Sequence, residues 1–282
     1  MVGLSWWQKN RIGFCLSSGY FGFFAHAGFL KATEHLNIIP SYISGSSAGA
    51  IVGAMYCSGM TLEQIEKTLI DVRLIRLFTD PLSMLKKIKS CRDIKGLISN
   101  LELIISKENF YKLLKEVIPV KRFEELKIPL VVNTYDLKNR KVVYIDRGEV
   151  AEGVLLSCLH PLLFTPYLKD GRLWIDGGIS DKVPILPLIK EGVDGIIISY
   201  LRSSYITIKR RLRFFKRRAE NIKRSIEEAK AKRIEIKVLA PNVESAGILR
   251  YYKGKKIIKE SYRYSIEKLR EGGTDPYDIL TE

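Results

Sequence analysis

The stretch Ser41-Tyr42-Ile43-Ser44-Gly45-Ser46-Ser47-Ala48-Gly49-Ala50-Ile51-Val52-Gly53-Ala54 decides the fold of this chain. Its first four residues predict a short strand, and the small apolar residues that follow predict a helix over residues 48–58. The pentapeptide G-S-S-A-G at residues 45–49 joins the two. In such a tight strand-to-helix turn, glycines on either side let the oxygen of the central serine project into a cleft. Ser47 is therefore a candidate nucleophile, and a plain glycine turn is the alternative.

Short apolar runs alternate with helical patterns along the rest of the chain. Strands are predicted at residues 11–17, 41–44, 130–135, 142–145, 172–175, 195–201 and 236–239, and helices at 23–36, 48–58, 151–158, 184–190 and 255–269. A further helix is expected after Thr61, which would form a capping box with Gln64. Residues 73–105 are irregular, and we expect a helical lid or a peripheral layer there. The alternation is typical of an α/β fold with a largely parallel sheet.

The composition indicates one domain with a basic surface. No linker rich in Pro, Gly or Ser divides the 282 residues, so a single domain over residues 1–282 is expected. Lys and Arg number 47 against 31 Asp and Glu, a formal net charge of +16 that favours an anionic partner such as a lipid surface or nucleic acid.

The cysteines and the N-terminal residues bear on location. Cys15, Cys57, Cys91 and Cys158 are too few and too widely spaced for a disulfide framework or a zinc site. The sequence has no recognisable secretory signal and no apolar run of 18 residues. A cytoplasmic location is therefore expected.

A nucleophilic serine needs a base, and the usual base is a histidine held by a carboxylate. The chain has three histidines, His26, His35 and His160. In α/β-hydrolases the histidine follows the serine and the acid, and nothing after His160 qualifies, so that fold is disfavoured. We expect His35 on the surface at a helix end and His160 in a loop, both in structural roles.

A carboxylate can replace the histidine if it lies within hydrogen-bond reach of the serine in a partly desolvated cleft. Asp176 is the strongest candidate, because it ends a predicted strand. Gly177 and Gly178 follow it and remove the side-chain bulk that would keep another loop away. An ordinary Asp-Gly turn is the alternative.

The two motifs together resemble those of the patatin-like phospholipase family, including its bacterial members. The segment at residues 45–54 and Asp176-Gly177-Gly178 carry the resemblance, which extends through residues 25–32, 129–136 and 157–166. It implies a three-layer α/β/α fold with a mostly parallel central sheet. It also implies a serine-aspartate dyad that hydrolyses acyl-ester lipids, with Ser47 as nucleophile and Asp176 as general base. No metal and no other cofactor is implied.

The family also carries a glycine-rich loop of the form G-G-G-x-R-G after its first strand, where this chain has Ser17-Ser18-Gly19-Tyr20-Phe21-Gly22. Backbone N–H groups of Ser18, Gly19 and Tyr20 are the expected oxyanion donors. Because the triple glycine and the arginine are absent, a second hypothesis is a weakly active or inactive relative that binds lipid or membrane surfaces.

Residues 202–237 hold 14 Lys or Arg and 4 Glu, a net +10. Apolar residues recur at helical spacing in this segment, at positions 208, 212, 215, 219, 222, 226 and 229, and predict a basic amphipathic helix over about residues 202–234. Its stripe is expected to dock on the sheet, and its basic face to meet an anionic membrane surface. That face comprises Lys209, Arg210, Arg211, Arg213, Lys216, Arg217 and Arg218.

The expected partners are a phospholipid or another acyl-ester lipid, together with the inner face of a membrane, to which the protein would be peripheral. Nucleic acid is the competing anion. Without a zinc-finger spacing, an RNP-like sequence or a P-loop, the basic run offers affinity for phosphate but no means of reading bases. Nucleic-acid binding is therefore not expected.

Overall fold

The computed structural model describes residues 11–19, 22–71, 106–161, 163–202, 213–242 and 252–277, without the side chains of residues 213–216. The expected lid at 73–105 lies outside these residues, as do Tyr20, Cys91 and residues 209–211.

The described strands and helices alternate as the sequence predicts. The strands are β1 Ile12–Leu16, β2 Tyr42–Gly45, β3 Leu130–Asp136, β4 Lys141–Ile145, β5 Tyr167–Lys169, β6 Arg172–Asp176, β7 Gly195–Ser199 and β8 Glu235–Leu239. The helices are α1 Phe23–His35, α2 Ala48–Cys57, α3 Leu62–Ile70, α4 Lys107–Val117, α5 Val150–Ser157, α6 Ile185–Lys190, α7 Arg213–Ala231 and α8 Gly254–Arg270. Short 3₁₀ turns lie at Phe123–Glu125 and Gly177–Ile179.

All eight described strands join one sheet, which is mixed and mostly parallel. Its order is β5-β6-β3-β2-β1-β7-β8, and β4 also pairs with β3. The pairs β1–β2, β2–β3, β1–β7 and β7–β8 are parallel. The pairs that β4, β5 and β6 make are antiparallel. The carboxyl ends of β1, β2 and β3 therefore meet at one edge, and antiparallel β6 reaches the same sheet beside β3.

Helices cover both faces of the sheet, which confirms the three-layer prediction. Helices α1, α2, α3, α4, α5 and α8 pack on one face around Phe14 and Leu16 of β1. On the other face, α6 and α7 pack against Cys15 of the same strand. Every residue of β1 and of β3 is buried, as expected for strands that are covered on both sides.

A predicted capping motif is present in the structure, and two elements of the structure were not predicted. The capping box of α3 is present: the N–H of Thr61 donates to Oε1 of Gln64 at 2.8 Å, and the N–H of Gln64 donates to Oγ1 of Thr61 at 3.2 Å. Helix α4 and the three-residue edge strand β5 were not predicted.

The basic helix is described from Arg213 to Ala231 rather than from residue 202. Ile222, Ile226 and Ala229 of the predicted apolar stripe are buried against the sheet. Ala219 is exposed, which corrects its assignment to the stripe. No helix within the described ranges is long and apolar enough to cross a membrane.

Candidate active site

Ser47 occupies a strained turn between β2 and α2. Its backbone has φ 51° and ψ −111°, a conformation that residues other than glycine rarely adopt and that costs about 1–3 kcal/mol. Two glycines make the turn feasible. A Cβ at Gly49 would overlap the carbonyl oxygen of Leu16, and a Cβ at Gly45 would lie 2.7 Å from the carbonyl oxygen of Gly49. Helix α2 can therefore begin directly against the end of β1.

The end of α5 holds this turn from the other side. The N–H of Ser47 donates to Oγ of Ser157 at 2.9 Å, and the thiol of Cys158 donates to the carbonyl oxygen of Ser47 at 3.4 Å. These two residues lie more than a hundred positions from the turn, and sequence analysis did not select either of them. Their spacing from Ser47 gives no signal of the contact.

Asp176 ends β6, where it pairs with Thr134 of β3. The residue is buried, with 2% of its surface exposed. The Asp176 carboxylate accepts a hydrogen bond from the N–H of Gly178 at 2.7 Å, and the hydroxyl of Ser47 lies near enough to lower its pKa. The segment after α5 contacts both residues, since the thiol of Cys158 donates to the carbonyl oxygen of Ser47 and the N–H of Asp176 donates to the carbonyl oxygen of Leu159 at 3.0 Å. The predicted nucleophile and the predicted base, 129 positions apart in the sequence, are thus neighbours in the fold.

Gly177 and Gly178 allow this approach, as their small size indicated. A Cβ at Gly178 would overlap the hydroxyl of Ser18, and a Cβ at Gly177 would lie 2.6 Å from the carbonyl oxygen of Asn133. The segment that carries the carboxylate therefore packs directly against β3 and against the loop after β1.

Burial raises the pKa of Asp176 above its ordinary value, because the charged form loses hydration. The charge of His160, the hydroxyl of Ser47, the N–H of Gly178 and the guanidinium of Arg218 act in the opposite direction. The result is a buried carboxyl that is more basic than an exposed aspartate and is stabilised in its ionised form by fixed donors. Such a carboxyl suits proton transfer from a hydroxyl.

The three histidines have different surroundings. His35 is exposed at the end of α1, as predicted, and its Nδ1 lies 2.9 Å from the hydroxyl of Tyr262. His26 is buried, with Nδ1 2.8 Å from Oγ of Ser199 and Nε2 2.8 Å from the carbonyl oxygen of Ser17. Burial lowers the pKa of His26 to about 4, so it is neutral at pH 7 and joins the ends of β1 and β7.

His160 lies in the loop after α5, as predicted, and its charge acts on Asp176. Burial lowers the pKa of His160 below its ordinary value, since the charged form is desolvated. Sequence analysis assigned it a structural role without placing it beside the carboxylate. A histidine that precedes a proline gives no signal of that proximity.

Some backbone N–H groups of the loop after β1 are engaged in hydrogen bonds within the protein and are not available to an oxyanion. The N–H of Ser18 donates to the carbonyl oxygen of Lys182 at 2.9 Å, and the N–H of Gly22 donates to the carbonyl oxygen of Gly19 at 3.1 Å. The side chain of Leu201 packs on the loop so closely that a Cβ at Gly19 would lie 2.7 Å from Cβ of Leu201. The N–H of Gly19 donates no hydrogen bond to another described residue.

Helix α7 reaches this loop through Arg218. Its Nη2 lies 3.5 Å from Oγ of Ser18, and its Nε is buried. The neighbouring Arg217 donates from Nη1 to the hydroxyl of Tyr135 at 2.8 Å. Arg218 is therefore partly buried against the loop after β1, which corrects its assignment to the exposed membrane-facing surface.

The comparison with protein families agrees with this arrangement. The model of the patatin-like phospholipase family matches residues 14–189, a span that contains the Ser47 turn and the Asp176 segment. The chain belongs to the patatin-like phospholipase family. Its membership rests on more than half of the sequence, so the resemblance carried by the two motifs is confirmed.

Relatives of this patatin-like chain include proteins of the NTE family. An uncharacterized NTE family protein of Mycobacterium tuberculosis is 27% identical over 199 residues, which cover 70% of this chain and 51% of that protein. The neuropathy target esterase sws of Drosophila melanogaster is 26% identical over 185 residues, or 64% of this chain and 12% of that protein. The chain thus spans about half the length of the mycobacterial relative.

Among solved structures, VipD from Legionella pneumophila is similar to this chain with a TM-score of 0.50. The match has 16% sequence identity and covers 93% of this chain and 67% of that one. At this identity the likeness concerns the fold alone, and it supports an α/β architecture with a mixed, mostly parallel sheet.

Proposed function

We propose that this patatin-like chain is a lipid acyl hydrolase of phospholipase A or esterase type that works through a Ser47–Asp176 dyad. The observation that carries the proposal is that the Ser47 turn and the buried Asp176 carboxyl meet at the segment after α5, where the Ser47 hydroxyl acts on that carboxyl. Family membership adds that the substrates are acyl esters of lipids.

The first half of the reaction transfers the acyl group to the protein. Oγ of Ser47 attacks the ester carbonyl carbon, and its proton passes to the carboxylate of Asp176. The carbonyl oxygen becomes an oxyanion in the tetrahedral intermediate. When the carbon–oxygen bond to the leaving alcohol breaks, Asp176 returns the proton to that alcohol, which leaves an acyl ester on Ser47.

The second half repeats these steps with water. Asp176 accepts a proton from water as the water oxygen attacks the acyl-serine carbonyl. Collapse of the second tetrahedral intermediate breaks the bond to Oγ of Ser47, and Asp176 returns the proton to that oxygen. The products are a carboxylic acid and the free serine.

The oxyanion needs N–H donors in both halves, and we assign this role to the loop after β1. The N–H of Gly19 and that of Tyr20 are the proposed donors, while the Ser18 donor must first leave the carbonyl of Lys182. Each missing donor in such a site typically lowers the rate by about 10²–10³-fold. The proposed enzyme is therefore slower than a relative with a complete glycine loop.

The test is release of fatty acid from diacyl phospholipid vesicles by the purified protein. The wild type is expected to release it, and Ser47→Ala is expected to release none above the uncatalysed background. Ser46→Ala is the matched control, because Ser46 is the neighbouring serine of the same turn and its buried hydroxyl has no hydrogen-bond partner among the described residues. Release by Ser47→Ala at the wild-type rate would contradict the proposal.

A second candidate function, lipid or membrane binding with little turnover, is favoured by the engaged N–H of Ser18. Both functions use an anionic membrane surface as partner, at which the protein would act as a peripheral protein on the inner face. Exposed Lys223 and Arg224 lie on α7, and each such charge near an anionic bilayer contributes about 1 kcal/mol.

Co-sedimentation with vesicles distinguishes these accounts. Vesicles with anionic phospholipid are expected to retain the protein at low salt and to release it as the ionic strength rises, because salt screens charges outside the protein. Binding without fatty acid release would favour the second candidate. Equal binding to neutral vesicles at all salt concentrations would remove the electrostatic membrane contact from both.

A further inference from the structure

Helix α7 is attached to the site at three points, one each on β3, on the loop after β1 and on the segment that carries the proposed base. Arg217 donates to the hydroxyl of Tyr135 at 2.8 Å, and Arg218 to Oγ of Ser18 at 3.5 Å. One turn later, Nδ2 of Asn221 donates to the carbonyl oxygen of Ser180 at 3.0 Å. The helix that was expected to serve a membrane therefore also forms part of the site.

Of these three attachments, Arg218 is the unusual one because it buries part of a charged group. Its Nε is buried and has no hydrogen-bond partner among the described residues. Burial lowers the pKa of its guanidinium, while the hydroxyl of Tyr200 and the charges of the Asp176 and Asp181 carboxyls act on it and raise its pKa. Burying a guanidinium is unfavourable unless opposite charge compensates it, so the position of Arg218 is explained by these carboxyls better than by packing.

Few described charges face Asp176 from the surrounding elements. Arg218 faces it from α7, and His160 and the Cys158 thiol face it from the end of α5 and the following loop. Burial lowers the pKa of His160, so its positive charge is lost at a lower pH than that of an exposed histidine. The thiol adds no positive charge. Of the described groups that act on this carboxylate, Arg218 is therefore the one with a permanent positive charge.

The same side chain contacts the loop that is expected to hold the oxyanion. That loop lacks the arginine of the family pattern, and the guanidinium of Arg218 reaches its Ser18 from a separate helix. Because Ser18 also packs against Gly178, the guanidinium lies where the loop and the base segment meet.

We propose that Arg218 is a positioning residue of the dyad. Its guanidinium holds the loop at Ser18, whose hydroxyl adjoins Gly178 and the Asp176 carboxyl, and thereby places a permanent positive charge near the group that accepts the proton of Ser47. The inference rests on the proposed function in so far as it concerns catalysis. The charge effect on Asp176 can be measured without turnover.

The first test is the pH profile of kcat/KM for ester hydrolysis by the full chain. Removing a positive charge near Asp176 favours its protonated form, so in Arg218→Gln the acid limb is expected to move to higher pH by about one unit. Arg218→Lys is expected to restore most of the wild-type profile. Lys230→Gln, which removes one exposed charge near the C-terminal end of the same helix, is expected to match the wild type.

An Arg218→Gln profile that superimposes on the wild-type profile would overturn the proposal. If that variant does not fold, Arg218→Met keeps the apolar length of the side chain and serves instead. A uniform fall in kcat without a shift of the acid limb, equal in Arg218→Lys and Arg218→Met, would also overturn it, since a purely structural role has that effect.

The second test titrates the carboxyl carbon of Asp176 by NMR in protein with ¹³C-labelled aspartate. Its resonance is the one missing from Asp176→Asn. A midpoint about one pH unit higher in Arg218→Gln or Arg218→Met than in the wild type supports the proposal, and coincident midpoints overturn it. If no ester is hydrolysed but the midpoint moves, the proposed function fails and the role of Arg218 stands.

Discussion

Two neighbouring loops of this molecule follow adjacent parallel strands but differ in how they are packed. The Ser47 turn follows β2 and the loop after β1 follows the adjacent parallel strand, with Leu16 of one strand opposite Gly45 of the other. In the Ser47 turn, both glycines have close backbone neighbours that leave no room for a side chain. In the other loop, the N–H of Ser18 is bonded to Lys182 and Leu201 packs on Gly19.

This difference shows that the position of the nucleophile and the positions of the oxyanion donors depend on separate sets of contacts. The Ser47 turn depends on backbone contacts with β1 and on hydrogen bonds with the side chains of Ser157 and Cys158 at the end of α5. The donors depend on how one short loop bends, and there the sequence departs from the family pattern. We therefore expect sharp losses from changes at the Ser47 turn and its base, and graded losses from changes in the loop after β1.

The largest effect is expected from removing the base. Asp176→Asn leaves Ser47 without a proton acceptor and is expected to lower kcat by about 10⁴-fold or more, as losses of catalytic-triad members do. Asp181→Asn is the matched control, since Asp181 is buried on the same segment and accepts instead from the hydroxyl of Tyr144 at 2.8 Å. Equal losses in the two variants, measured as ester hydrolysis, would assign the effect to buried charge in general.

A change of packing at the Ser47 turn is expected to come next. In Gly49→Ala the new methyl group overlaps the carbonyl oxygen of Leu16, which is backbone and cannot turn away, so the free energy of unfolding is expected to fall by about 1–3 kcal/mol or more. Gly53→Ala in the same helix meets only Cδ1 of Leu130, at 3.1 Å, and is expected to change it by less than about 1 kcal/mol. Urea denaturation measures both, and equal losses would remove the packing argument.

The loop after β1 is expected to respond less. Gly19→Ala brings a methyl group within 2.7 Å of Cβ of Leu201 and displaces the proposed donors, so kcat/KM is expected to fall by about 10²-fold. Adding Leu201→Gly removes that Cβ and is expected to recover part of the activity. If Gly19→Ala lowers activity as much as Asp176→Asn does, the loop is as rigidly required as the Ser47 turn and the comparison breaks.

The smallest effect concerns stability and pH. Because burial raises the pKa of Asp176 in the folded state, its contribution to stability is present below the ordinary aspartate pKa and is lost as the pH rises through the folded value. Asp176→Asn cannot ionise and is therefore expected to have a Tm a few degrees above the wild type at pH 8, with the difference shrinking at pH 4. Asp170→Asn, at an exposed turn, is the control. A lower Tm of Asp176→Asn at pH 8 would contradict the raised pKa.

Much of this fold could be predicted because its strands are buried on both faces. Such strands appear as short apolar runs, so β1 and β3 were found within one or two residues of their observed ends. Helix α4 was missed although Ser106 caps it, since it follows an irregular basic stretch and buries only Phe110, Leu113 and Leu114. The antiparallel part of the sheet depends on pairings between strands, which alternation of elements does not specify.

The residues of the site likewise include some that the sequence predicts and others that it does not. Ser47 and Asp176 were predicted because each sits beside glycines that the chemistry requires. Ser157 contacts Ser47, the charge of His160 acts on Asp176, and Arg218 contacts the neighbouring loop at Ser18. All three are distant in the sequence from the residues they act on, and their local patterns have ordinary structural explanations. A basic amphipathic helix in particular does not reveal which of its arginines turns inward, because that depends on the carboxyls opposite it.

Covalent labelling with a fluorophosphonate probe tests most directly whether Asp176 activates Ser47. The account predicts that the wild type is labelled, that mass mapping places the label on Ser47, and that Ser46→Ala is labelled as well. Ser47→Ala is predicted to lose the label, and Asp176→Asn to react far more slowly. Rapid labelling of Asp176→Asn at Ser47, or no labelling of the folded wild type, would contradict the claim that these two residues form a working dyad.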